Sequence, residues 1–146
     1  MSSGRSRMIK FLGFLAPLAL IAATPLAARP LTVRMGETWL FAVRGGAPVD
    51  ARKVAATTTP APGQFKVSLQ PLLGSTMTIT NNSRFDYAYR ATLVLPSGRP
   101  GAAKSCAVPA NGRIAIEQWT RAVAAVRLDR FKRAPAGSLC PSGSGP

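Results

Sequence analysis

Glu37, Asp50, Asp86, Glu117 and Asp129 are the only acidic side chains among 146 residues, and the chain has no histidine. The missing imidazole removes Ser-His-Asp and Cys-His nucleophilic catalysis, histidine-ligated zinc and most general-base schemes near neutral pH. Glycoside hydrolysis would need two carboxylates about 5–10 Å apart. Asp86 and Glu117 are the pair to consider, and as solvated charges on a turn and a strand they need no such role. Lysines 53, 66, 104 and 132 coexist with serines, so a Ser-Lys dyad exists in composition. The neighbours Lys104 and Ser105, however, would point to opposite faces of a strand. Two cysteines without histidine cannot build a common four-ligand zinc site. Neither a G-x-x-x-x-G-K-[ST] loop nor a strand-linked G-x-G-x-x-G occurs. No nucleophile is supported. The chain is expected not to be an enzyme and to need no cofactor. The competing class, a carboxylate or Ser-Lys enzyme, would require Asp86 and Glu117 to converge in one cleft.

The remaining chemistry is charge. Arg127, Arg130, Lys132 and Arg133 surround Phe131 in "RLDRFKR", a candidate contact surface for an anionic lipid head group, an acidic protein face or single-stranded nucleic acid. Read as a strand, the segment puts Arg127 and Arg133 on one face and Arg130 and Lys132 on the other. The plain alternative is a charged strand end that keeps a sheet edge soluble.

The elements that must carry these residues read as strands. "LTVRM" aligns Leu31, Val33 and Met35, "TWLFAVR" aligns Trp39, Phe41 and Val43, and "QFKVSLQ" aligns Phe65, Val67 and Leu69. "TMTIT", the turn "NNSR" and the run Phe85, Tyr87, Tyr89, Ala91, Leu93, Leu95 read as a central hairpin whose aromatics face inward. The formal glycosylation acceptor Asn81-Asn82-Ser83 is read as that turn. "PSGRPG" closes the run with breakers. "KSCAV" and "RIAIEQW" are further strands. "AVRLDRF" fits a strand or a helical face, and the strand-built context favours the strand. Residues 44–63, rich in Ala, Thr and Pro, read as a long surface connection, and 134–146 as a flexible tail. About seven or eight short strands with breakers between them imply an all-β fold, an antiparallel two-sheet sandwich over 29–133.

Residues 1–28 are set apart. Arg5, Arg7 and Lys10 precede an apolar run from Phe11 to Ala23, and small residues end at Ala27 and Ala28. This is the pattern of a secretory signal peptide cleaved after Ala28. The run is too short for the roughly 20 apolar residues of a spanning helix, so no transmembrane anchor is expected after cleavage; the alternative is retention as an anchor. Removing those three basic residues from 19 leaves 16 against 5 acids, a formal +11, which favours association with anionic surfaces. Export makes the periplasm or the exterior the expected location, and nucleic acid is then not the expected partner. In such a compartment Cys106 and Cys140 read as a disulfide, worth roughly 4 kcal/mol for a loop of about 35 residues in the chain-entropy treatment.

"TITNNSRFDYAYRATL" resembles the strand-turn-strand of bacterial immunoglobulin-like envelope domains. Gly36, Thr38, Trp39 and Phe41, then Thr78 to Ser83, then Cys106, are similar to a "G-x-T-W-x-F", "T-I-T-N-N-S", late-Cys pattern. That pattern belongs to small exported proteins of Gram-negative bacteria that carry no known activity. The resemblance implies an immunoglobulin-like sandwich in the envelope and brings no functional residues. Immunoglobulin-type pilus chaperones are a weaker likeness, being two-domain proteins. The combined expectation is a binding or structural module whose partner is another envelope protein. Anionic lipopolysaccharide or peptidoglycan is the alternative ligand, and a subunit of a surface assembly the alternative role.

Overall fold

The computed structural model describes residues 28–103 and 105–137. Residues 1–27, within the segment read as a signal peptide, together with Lys104, Cys140 and the rest of the tail from 138, lie outside the described residues. Nine strands and no helix are found among those described: β1 (Leu31–Arg34), β2 (Thr38–Arg44), β3 (Ala47–Lys53), β4 (Phe65–Gln70), β5 (Ser75–Asn81), β6 (Tyr87–Val94), β7 (Pro100–Ala102), β8 (Arg113–Trp119) and β9 (Ala125–Arg133). They pair antiparallel into a four-stranded sheet, β1-β9-β6-β7, and a five-stranded sheet, β3-β2-β4-β5-β8.

An aromatic cluster joins the two layers. Phe41 and Phe65 of the five-stranded sheet stack at 5.3 Å. Phe131 of the other sheet packs against both, at 5.5 and 5.8 Å, and against Tyr89 at 5.6 Å. Val33, Val67, Met77, Ile79, Leu93, Val126 and Leu128 complete a core shielded from water. Burying each such side chain is worth about 1.5–3 kcal/mol.

The expected central hairpin is not one: β5 and β6 belong to different sheets. The physical reason is Asn81, which is fully buried. Its amide donates to the carbonyls of Phe85 (2.7 Å) and Val108 (3.2 Å), while its Oδ1 accepts from the Ser83 N–H at 2.9 Å. These bonds turn "NNSR" into a corner that carries the chain from one layer to the other. The inward face of β6 holds as expected at Tyr89, Ala91 and Leu93. Phe85 precedes the strand and is 41% exposed.

Three other expectations change. The stretch read as a connection over 44–63 contains β3, which forms a hairpin with β2 through Gly45 and Gly46 at φ +57° and +78°. That is the twist a tight hairpin turn requires, and glycine meets it without steric cost. The rest of the stretch crosses the outer face at Lys66, whose Nζ donates to the Ala56 carbonyl at 3.3 Å, and it is held by Asn82 Nδ2 on the Pro60 carbonyl at 2.8 Å. "KSCAV" is not a strand over its described residues; Val108 only bridges Tyr87. The breaker stretch after β6 instead supplies β7. "AVRLDRF" is a strand.

Candidate functional site

Along β9, Arg90 lies opposite Asp129 but Ala88 lies opposite Lys132, so one residue is extra. The extra residue is Arg130, at φ +52°, a β-bulge. The bulge resets the alternation: Phe131 turns back into the core, while Lys132 stays exposed. It is pinned to the opposite sheet by the Phe131 N–H, which donates to the Gly46 carbonyl at 2.9 Å. A Cβ at position 46 would stand 3.2 Å from the Phe131 carbonyl oxygen and at a positive φ, so a side chain there would be strained and would press the turn away from the bulge by a few tenths of an ångström.

Between bulge and turn opens a cleft of about 460 Å³, lined by Arg29, Gly45, Gly46, Ala47, Pro48, Arg90, Asp129, Arg130 and Lys132 among others. Its one acid is already engaged. Arg90 grips Asp129 with two donors, its Nε reaching Oδ1 at 2.7 Å. That bidentate contact raises the pKa of Arg90 further. Arg29, Arg130 and Lys132 form no ion pair among the described residues. The cleft therefore presents three uncompensated cations beside a neutralised Arg-Asp pair.

The four basic residues singled out in the sequence separate here. Arg130 and Lys132 line the cleft. Arg127 sits on the exposed face of the four-stranded sheet between Thr32 and Thr92. Arg133 lies 3.7 Å above the Phe85 ring and lines a different hollow with Pro62, Asn82 and Arg84. The pairing of faces read from simple alternation fails because the bulge inserts one residue between Arg127 and Lys132. Arg29 and Arg90 were not found from the sequence. The Gly-Gly step after β2 was the available signal for the turn that walls their cleft.

The other chemical candidates are held as structural groups. Asp86 is buried and accepts the N–H of Ala110 (2.8 Å) and of Gly137 (2.9 Å). These bonds hold its carboxyl below the usual range, with Arg113 3.9 Å away adding to the effect. Glu117 accepts the Cys106 N–H at 2.7 Å, and burial pushes its pKa up. The two carboxylates thus serve separate loop segments. Ser105 Oγ donates to the Tyr89 carbonyl at 2.7 Å; Lys104, its partner in the dyad considered above, lies outside the described residues. So does Cys140, and the Cys106–Cys140 bridge remains an expectation. Among the described residues no three His, Cys, Asp or Glu side chains gather as metal ligands.

No family model, curated protein or solved structure matches this chain.

Proposed function

We propose that this protein is an exported, non-catalytic binding module of the bacterial envelope that takes an acidic segment of another envelope protein into the cleft between the β2–β3 turn and the β9 bulge. The observation that carries the reading is the set of three cations unpaired among the described residues, Arg29, Arg130 and Lys132, around an Asp129 already held by Arg90. An unpaired cluster of one sign steers and holds an anionic partner, and salt weakens it. Cleavage of the signal after Ala28 would add an α-ammonium group at Arg29, on the rim of the same cleft. Two antiparallel sheets packed through an aromatic core support the immunoglobulin-like assignment as an architecture. An immunoglobulin domain orders its strands ABED and CFG, whereas here the orders are β3-β2-β4-β5-β8 and β1-β9-β6-β7. The likeness is one of layers.

The test is recovery of partners from envelope extract on the tagged, oxidised protein, washed at low and high salt. Arg130→Asn with Lys132→Gln should weaken retention about tenfold or more, at roughly 1 kcal/mol for each charge. Asparagine is chosen because it tolerates positive φ. Arg127→Gln with Arg133→Gln, outside the cleft, should leave retention nearly unchanged. Equal effects of the two pairs would dismiss the cleft in favour of diffuse charge. Retention of lipopolysaccharide or peptidoglycan alone would replace the protein partner with an anionic glycan.

A further inference from the structure

A sandwich has four open edges, and natural proteins blunt such edges because their unpaired N–H and C=O groups recruit other strands. Three edges here are blunted. Strand β1 has 4 residues. Strand β7 has 3 and begins with a proline. Strand β3 carries Pro48, Arg52 and Lys53, a register shift against β2, and Asp50 at φ +52°. The fourth edge, β8, is neither short nor interrupted, and its two charges, Arg113 and Glu117, are of opposite sign. Its 7 residues, "RIAIEQW", contain no proline, glycine or lysine, and they pair with β5 in unbroken register from Ser75–Trp119 to Asn81–Arg113. Among the described residues its other edge has no backbone ladder. Its outward side chains are Ile114, Ile116 and Gln118, the two isoleucines 51% and 59% exposed.

We infer that β8 pairs antiparallel with the β8 of a second copy, about a two-fold axis at Ala115, joining the two five-stranded sheets into one. Identical antiparallel strands oppose residues of the same parity, so the allowed registers are few. A two-fold at Ala115 sets Ile114 opposite Ile116 twice on the outer face. On the inner face it sets Arg113 opposite Glu117 twice. Cross-strand apolar pairs and opposite charges are the favourable combinations, and like charges are the unfavourable ones. Both partners have capacity to spare. Glu117 uses Oε1 for the Cys106 N–H, and no partner is found for Oε2 among the described residues. The Arg113 side chain is 63% exposed, and among the described residues its Nε donates to the Ala110 carbonyl while its Nη2 stands 3.9 Å from Asp86. The edge itself is electrically balanced on a strongly basic chain, which makes it the side on which two copies can approach. This inference stands apart from the cleft and does not depend on it.

The experiment is sedimentation equilibrium on the protein released from cells expressing the full chain, over a wide concentration range. A dimer is expected, and Ile114→Lys with Ile116→Lys should weaken its association at least about tenfold, because lysines would then face each other across the axis. Unchanged circular dichroism would show that this variant folds. Hydrogen exchange on the unmodified protein serves as the second measurement: amides of residues 113–119 should gain protection as concentration rises. A monomer at all concentrations, a dimer indifferent to the lysines, or a dimer whose β8 amides stay unprotected would each overturn the inference.

Discussion

Replacing Glu37 with glutamine tests whether the β1–β2 turn is held by a charge. Glu37 accepts the Arg34 N–H at 3.0 Å and the Trp39 indole N–H at 2.9 Å, and it pairs with Lys53 of β3 at 2.7 Å. Burial pushes its carboxyl up, but these bonds outweigh it and hold the pKa at about 2 against an ordinary 4.5. The difference corresponds to roughly 3 kcal/mol at neutral pH. Lys53 is 58% exposed, and water there screens the pair, so about 1–2 kcal/mol is the expected share. The folded pKa is the lower one, so the unfolded chain takes up the proton first as pH falls. The contribution is therefore whole above pH 4.5 and is lost as pH drops through about 2. Glutamine keeps an acceptor for the indole and the backbone but cannot titrate. Urea unfolding of both proteins between pH 7 and pH 2 should show a gap of about 1–2 kcal/mol that closes toward pH 2. Asp86 also has a lowered pKa, but it is present in both proteins and cancels in the comparison. A gap that stays constant from pH 5 to pH 2 would refute the charge and leave only packing.

Two hydroxyl deletions should differ sharply in their effect on stability. Ser75 is fully buried, donates to the Arg121 carbonyl at 3.1 Å and accepts the Val123 N–H at 3.0 Å; Ser75→Ala should cost about 1–3 kcal/mol in chemical denaturation by orphaning both groups. The Tyr89 hydroxyl is buried without a partner among the described residues, so Tyr89→Phe should be neutral or stabilising by up to about 1 kcal/mol, and a loss larger than that would reveal a hidden bond.

Alternation along a strand is a local property, and so it was legible in the chain. Val67 and Leu69, or Tyr89, Ala91 and Leu93, share a face because every second side chain must, and they face the core because they are the apolar set. The absence of histidine was equally plain and bears on chemistry without any fold. Alternation does not say which face turns inward when both are mixed. In β8 the isoleucines look like the core set, yet the register with β5 places Glu117 beside Met77 and Ala115 beside Ile79. Those β5 residues are buried, so Ile114 and Ile116 must turn outward. β3 stayed hidden because Val49 is its one large apolar side chain and Pro48 and Asp50 read as loop residues, so its alternation of small residues carried no core signal. Whether "NNSR" made a hairpin or a corner depended on Asn81 reaching Val108, 27 positions away in the chain. The cleft depended on a bulge at Arg130 that simple periodicity cannot contain. What sequence determined was the all-β character of the chain and the inventory of charge. Tertiary structure decided which strands share a sheet and which cations meet, because both follow from long-range hydrogen bonds that no local pattern encodes.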